Sequence, residues 1–375
     1  MACQSQKRGL QLYWFLVGVQ IFINTMKQLS LTFLICPIVF LAVFSCQDRT
    51  EEYICPPCNM ECDALSFSGP GICPHCKMEL IKRSDLLDIS EPPVNEIHIE
   101  EGSGKFVIDG GFDPNKTITI FYHQPKSFTT HSQVLFTIPG AGRNAADYRN
   151  ALIAASEKYG VLILSPQYAE DDYAGFWSYN LAGMIYDVNV KDSTFKINHQ
   201  PNQWIFNDFD RIFDLVRQEI NLKEDRYDMF GHSAGGQILH RLALFHPRSK
   251  ANRILASNSG WYTLPIVQEP FPYGLDGIGM ETKDIDFSSQ LILFLGEKDD
   301  ADETRGHLRR APEVDKQGTH RFARGTYFFN TAKSTALAHQ KEFNWRLITV
   351  PNIGHEYQKM SKEAMEYLYK EITSR

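Results

Sequence analysis

The chain has 375 residues, 43% hydrophobic and 22% charged, a balance that supports at least one sizeable core and excludes a disordered tail. Thirty-eight basic against 45 acidic side chains give a formal net charge of −7 with no long basic run, so a nucleic-acid backbone is excluded as main partner. A mean hydropathy of −0.30 excludes a polytopic membrane protein and leaves a neutral or apolar substrate open.

The N-terminus is unusually apolar. Residues 1–25 contain LQLYWFLVGVQIFIN, and a second uncharged run, Leu29 to Ser45, follows Met26-Lys27. One export signal needs one such run, so residues 1–25 are expected to be an extension from a misassigned start; two membrane-anchoring helices are the alternative. Residues 26–46 have a signal-peptide layout, and Val43-Phe44-Ser45-Cys46 resembles a lipobox. That resemblance implies lipidation at Cys46, export to the bacterial cell envelope and a lipid anchor in a membrane; a membrane-anchoring helix with an incidental cysteine is the competing reading.

All eight cysteines lie at or before Cys76, so the rest of the chain folds without disulfides. Cys55-Pro-Pro-Cys58 and Cys73-Pro-His-Cys76 are two CxxC turns, and Gly69-Pro70-Gly71 supplies the bend that returns the second toward the first. Paired turns of this kind present four thiolates, Cys55, Cys58, Cys73 and Cys76, to one ion, and a tetrahedral thiolate set suits Zn²⁺. Two disulfides are the other reading, and Cys62 either replaces Cys58 as a ligand or remains a free thiol. A segment this short, 53–83, buries too little apolar surface to fold unaided, so bound metal would supply much of its stability. The stretch resembles the small heavy-metal-binding zinc-ribbon domains of bacterial efflux and envelope proteins, whose second knuckle reads CPxCGMxL. This chain departs from it at Lys77, and carries Cys58 where that family often has His. The resemblance implies metal binding, either structural Zn²⁺ or another heavy metal such as copper. Residues 84–95, ending in Pro92-Pro93 and the residues just after, read as a linker.

From residue 96 to 375, apolar runs alternate with helical patterns, the mark of a mostly parallel sheet covered by helices on both faces. Candidate buried strands are Val134 to Ile138, Val161 to Ser165, Tyr227 to Phe230, Ile254 to Ser257, Leu291 to Leu295 and Arg346 to Val350. Asn95 to Ile108 and Thr117 to Phe121 read as an antiparallel edge. Ile205, Phe209, Ile212, Phe213, Val216 and Ile220 fall on one helix face, and a last helix is expected over Ser361 to Ile372.

The strand Tyr227 to Phe230 runs into Gly231-His232-Ser233-Ala234-Gly235-Gly236 and then a helical pattern, which is GxSxG between strand and helix. Such a turn strains the serine into an exposed position and needs glycine where a Cβ would strike neighbouring backbone. Ser233 is therefore a candidate nucleophile, and the Ala234 amide at the helix N-terminus a candidate oxyanion donor. A serine hydroxyl needs a base, and a base needs a carboxylate to orient it. His355 lies just past the strand Arg346 to Val350, and Asp299 three residues past Gly296, with Asp300 and Asp302 as competitors. The loop Pro139-Gly140-Ala141-Gly142 after Val134 to Ile138 is expected to give a second oxyanion amide, from Ala141 or Gly142.

These residues resemble the α/β-hydrolases, and within them the polyhydroxybutyrate depolymerase and esterase-like branch. The resemblance is carried by strand order, the GHSAGG turn, GxxD at Asp299 and the terminal GH at His355. It implies an α/β-hydrolase fold and a serine hydrolase that cleaves a small-molecule or polymeric carboxylic ester through Ser233, His355 and Asp299 and an acyl-enzyme, with no cofactor for catalysis. Pro139 in place of a His-Gly-Gly-Gly loop departs from many lipases. A serine peptidase on the same fold, or a metal-handling envelope protein with a non-catalytic hydrolase scaffold, are the rival functions. Trp261 and Tyr262, and Tyr173, Phe176, Trp177 and Tyr179, read either as walls of a substrate pocket or as a buried subcore. Arg321 and Arg324 carry no assigned role.

Overall fold

The computed structural model describes residues 52–55, 65–75, 78–82, 94–301 and 308–370. The chain divides into two compact units, residues 1–89 and 90–375. Cys46, Cys58, Cys62, Cys76, Asp302, the segments 1–25 and 26–46 and most of the 84–95 linker lie outside the described residues.

Among its described residues the smaller unit holds three two-residue antiparallel strands, β1 (Tyr53–Ile54), β2 (Ser66–Phe67) and β3 (Ile81–Lys82), with β1 in the middle. Ahead of β3 the chain doubles back on itself. Ile72 bridges Glu79, the Cys73 amide donates to the Met78 carbonyl at 2.7 Å, and the Leu80 amide to that of Gly71 at 2.7 Å. Cys55 and Cys73 are buried in one small apolar cluster with Leu80, flanked by Tyr53, Phe67 and Met78.

The larger unit is built on one eight-stranded sheet. It opens with a hairpin, β4 (Gly102–Gly110) and β5 (Asp113–Gln124), and continues through β6 (Val134–Ile138), helix α1 (Ala145–Tyr159) and β7 (Leu162–Gln167). The short helix α2 (Gly175–Tyr179) and a separate hairpin, β8 (Ile185–Asn189) with β9 (Thr194–Ile197), precede α3 (Phe206–Glu219). Then come β10 (Tyr227–His232), α4 (Ala234–Phe245), β11 (Ala251–Ser257), β12 (Gln290–Gly296), α5 (Pro312–Asp315), α6 (Arg321–Ala338), β13 (Arg346–Val350) and α7 (Tyr357–Tyr369). The sheet order is β4-β5-β7-β6-β10-β11-β12-β13, antiparallel at the β4/β5/β7 edge and parallel from β7 to β13. This is the α/β-hydrolase arrangement.

The strands read as continuous apolar runs because both faces are covered. Val134 and Phe136, Met229, Ile254, Leu291 and Leu293 enter one core with Phe209 and Ile212 of α3, Ile238 and Leu239 of α4 and Phe328 of α6. The alternate residues Leu135, Ile163, Phe230, Leu255 and Ile292 enter a second core with Leu152 of α1 and Met360, Met365 and Leu368 of α7. That two-residue alternation is the strand's pleat expressed as two cores. Element ends shift from expectation: the edge strand starts at Gly102 rather than Asn95, and the last helix at Tyr357 rather than Ser361. No helix among the described residues is long and apolar enough to cross a membrane.

Candidate active site

Helix α4 is buried along its whole length and is fed directly by β10, with Ser233 as the joint. Ser233 has φ +58° and ψ −112°, a conformation L-residues avoid and that packing here enforces. A Cβ at Gly235 would land on the Ile138 carbonyl oxygen and sit 2.8 Å from its carbon. At Gly231 it would meet the Gly235 carbonyl at 2.6 Å, and at Gly236 the Ser257 carbonyl at 2.6 Å. The three glycines thus let the turn press between β6 and β11, and the Ser233 amide donates to the Ser257 carbonyl at 2.9 Å.

The structure brings three of the expected side chains together at the C-terminal ends of β10, β12 and β13. Ser233 Oγ lies 3.2 Å from His355 Nε2, and His355 Nδ1 lies 2.7 Å from Asp299 Oδ2. Asp299 is the candidate carboxylate that reaches the imidazole; Asp300 is exposed. The acid and histidine loops are tied to each other, Glu297 N donating to the Val350 carbonyl at 3.0 Å and Lys298 N to that of Ile353 at 2.9 Å. Gly296 permits that approach, since a Cβ there would lie 2.6 Å from the Ile353 oxygen.

Burial alone would raise the Asp299 carboxyl. The His355 hydrogen bond and charge, a hydrogen bond from Asn258 and the Arg321 guanidinium outweigh it and hold the group below the ordinary carboxylate value. Asn258 Nδ2 donates to Asp299 Oδ2 at 2.6 Å, while its Oδ1 accepts from the Gly296 amide at 3.1 Å and the Ser257 hydroxyl at 2.9 Å. Arg321, one of the two arginines without an expected role, stands 3.5 Å from Asp299 Oδ1. Arg324 instead donates to the Gly260 carbonyl at 2.6 Å and pairs with Asp315.

His232, between the glycine and the serine of the turn, is buried, and its ring lies 4.5 Å from that of His355 at 41°. Desolvation, reinforced by the neighbouring imidazole of His355, drives its pKa well down and keeps it neutral. It is a wall for the histidine, with Tyr148 Oη 3.5 Å from its Nδ1.

The oxyanion candidates sit as follows. Ala234 is the first residue of α4, so its amide has no acceptor within the helix. Across the turn, the loop after β6 comes nearest at Gly140, whose Cβ would lie 3.5 Å from Ser233 Cβ, and Ala141 and Gly142 follow it, exposed, in a tight turn closed by Arg143 N to the Gly140 carbonyl at 3.0 Å. This loop is anchored from behind. Tyr179 Oη donates to the Pro139 carbonyl at 2.7 Å. Buried Arg143, at φ +52°, donates to the carbonyls of Tyr168, Tyr173 and Gly175 at 2.9, 2.6 and 2.8 Å. The aromatic residues divide between the core and two cavities, neither of which is lined by Ser233 or His355. Tyr179 and Tyr262 are subcore, Phe176 and Trp261 line a cavity of about 460 Å³, and Tyr173 and Trp177 line a second of about 700 Å³.

Asn258, Arg143 and Arg321 were not anticipated as site residues, because none of them lies in a motif with a characteristic spacing. The one available sign was position: Asn258 immediately follows the strand that adjoins the serine's own strand.

The sequence matches no protein-family model and no curated protein. Among solved structures it is similar to poly(aspartic acid) hydrolase-1 from Sphingomonas sp. KT-1, at 32% identity over 72% of this chain and 98% of that one, with a TM-score of 0.64. It is also similar to LpqC, a poly(3-hydroxybutyrate) depolymerase from Bordetella parapertussis, at 27% identity over 72% of this chain and 90% of that one, with a TM-score of 0.65. Identity above 30% across nearly all of the first of these, on the sheet and turn described above, means that the chain belongs to the α/β serine hydrolase family that includes both enzymes.

Proposed function

We propose that this chain is an exported serine hydrolase that cleaves carboxylic esters through an acyl-enzyme. The observation that carries the reading is the unbroken series of contacts from Ser233 Oγ to His355 Nε2 and from His355 Nδ1 to Asp299 Oδ2. As the Ser233 oxygen adds to the ester carbonyl, its proton passes to His355 Nε2. The carbonyl oxygen takes the negative charge and accepts from the Ala234 amide and from Ala141 or Gly142. Collapse expels the alcohol, which takes the proton from His355. Water then repeats the sequence on the acyl-serine and releases the acid. Asp299 fixes the imidazole's tautomer and offsets its transient positive charge.

Fluorophosphonate labelling that disappears in Ser233→Ala, with loss of p-nitrophenyl ester turnover, is the expected result. Persistent labelling would refute the assignment, and a wild-type chain that neither labels nor turns over would favour the non-catalytic scaffold. One observation favours a second reading. Poly(aspartic acid), named for the first relative, is joined by amide bonds, whereas poly(3-hydroxybutyrate) is joined by esters. Amide turnover without ester turnover would move the proposal to a peptidase-like hydrolase.

For the smaller unit the proposal is one structural Zn²⁺ held by Cys55, Cys58, Cys73 and Cys76. In its support, Cys55 and Cys73 share one buried cluster, and the chain turns back directly after Cys73. About one Zn²⁺ per chain by elemental analysis is expected; oxidised cysteines without metal would refute it. The proposed anchor is a lipid on Cys46, and intact mass of the membrane-extracted chain tests it.

A further inference from the structure

The larger of the two cavities, about 700 Å³, has no role in the chemistry above, and neither Ser233 nor His355 lines it. It opens at the same end of the sheet. β5 runs antiparallel to β7 with Thr119 opposite Gln167, so the turn at Gly110 to Asp113 projects past the C-terminal ends of the parallel strands. Three strand spacings, about 14 Å in the plane of the sheet, separate β10 from β5, whose opening turn lines the cavity.

Its lining has a definite chemistry. Trp177, Tyr186 and Trp204 line it with aromatic surface, and Asn202 supplies a side-chain amide that both donates and accepts, while the Asn207 amide nitrogen is held by the Pro201 and Trp204 carbonyls at 2.7 and 2.9 Å. The four charged groups of the lining pair off: Lys116 lies 3.9 Å from Asp113 and Arg211 3.3 Å from Asp208, and Arg211 also meets Asp109, outside the lining, at 3.1 Å. A cavity balanced in this way selects neither an anion nor a cation. Two polar atoms of its lining residues, the Tyr173 hydroxyl and Arg211 Nε, are buried with no hydrogen-bond partner among the described residues, and Tyr173 as a whole is 6% exposed. The turn beside them is Gly110-Gly111. A Cβ at the first would lie 3.0 Å from the Tyr173 hydroxyl, and at the second 3.0 Å from Arg211 Nε, so a side chain at either position would crowd these atoms. Unpaired buried polar atoms cost free energy that a ligand's hydroxyls would recover. Aromatic surface, a side-chain amide, balanced charge and unmet polar groups together describe the complement of a ring that is flat and apolar on its faces and hydroxylated at its edge.

We propose that this cavity is a binding site for a neutral sugar ring of an oligosaccharide, separate from the Ser233 centre. It would hold the hydrolase on a glycan while an acyl group is cleaved nearby. The site does not depend on the catalytic reading, because no residue of the proposed triad enters it.

The test is intrinsic tryptophan fluorescence, since Trp177 and Trp204 both line the cavity. The full chain is titrated with xylohexaose, cellohexaose and mannohexaose, and with hexagalacturonate as an anionic control. At least one neutral hexamer is expected to change the emission saturably below about 10 mM, with Asn202→Ala and Trp177→Ala each weakening it by about tenfold. Ser233→Ala should bind as the wild type does, so a failed esterase assignment leaves this result intact. Absence of binding by all three neutral hexamers, tighter binding of hexagalacturonate, or undiminished binding in either cavity variant would overturn the proposal. Asn202 is exposed and outside the core, so its variant separates a lost contact from a lost fold.

Discussion

The sharpest test of the serine turn is a single methyl group at Gly235. An alanine Cβ there would clash with the Ile138 carbonyl oxygen and stand 2.9 Å from that of Pro139. Both obstacles are backbone at the end of β6, so no side chain can rotate away. Relief requires α4 and the loop after β6 to separate by about 1 Å, and overpacking of this kind costs about 1–3 kcal/mol of stability. The functional cost is larger, because these are the two elements expected to flank the oxyanion: a displacement of about 1 Å at a reacting centre costs about 100-fold in rate. Gly142→Ala is the control. Its Cβ would meet nothing nearer than Asn144 Oδ1 at 3.5 Å, an ordinary contact, and alanine keeps the amide. With p-nitrophenyl acetate as substrate and Tm measured alongside, Gly235→Ala should lose about 100-fold in kcat/KM and Gly142→Ala less than about threefold. Gly235→Ala retaining more than about a tenth of the wild-type rate would refute the close-approach argument.

Two further outcomes follow from the electrostatics. Asn258→Ala removes a hydrogen bond that helps hold the Asp299 carboxyl low, so the carboxylate should take up its proton at higher pH and the acid limb of kcat/KM should move upward, with kcat/KM falling by about tenfold. An unmoved limb would show that Asn258 merely fills space. Burial pushes Asp208 up to about 7 despite the opposing pull of Arg211 and Tyr168, so between its unfolded value near 4 and that point the folded chain holds a proton the unfolded chain has lost. Stability from this group is complete below about pH 4 and is lost as pH rises through about 7, so Asp208→Asn should gain more Tm over wild type at pH 8 than at pH 5; equal differences at both would refute it.

The parallel strands were legible because each is buried on both faces, which makes a run such as Val134 to Ile138 apolar without interruption. The triad candidates were legible for a related reason. A parallel sheet gathers the ends of its strands, so residues just past β10, β12 and β13 meet whatever their separation along the chain. The β8–β9 hairpin carries no comparable sign. Tyr186 and Val190 there are exposed, and its strands pair with each other rather than with the main sheet, so no core dictates their pattern. Helix α6 was missed for the opposite reason: buried Arg321 and Arg324 interrupt its apolar face with charges that bond Asp299, Asp315 and the Gly260 carbonyl.

What the linear pattern conceals is the layer that positions the reacting groups. Arg143 reads as a surface charge in a Gly-rich turn, yet its guanidinium is buried and spends its donors on three carbonyls of residues 168–175. It thereby makes the expected oxyanion loop rigidly continuous with the segment that leads to Phe176 and Trp177. These two residues line the separate 460 and 700 Å³ cavities. One side chain thus couples the loop flanking Ser233 to the walls of both spaces. A substitution such as Arg143→Lys, which keeps the charge and loses the forked geometry, perturbs all three at once. The segment between β7 and α3 is thus tied through one guanidinium to the loop beside Ser233, so a change at position 143 reaches both cavities without touching Ser233, His355 or Asp299.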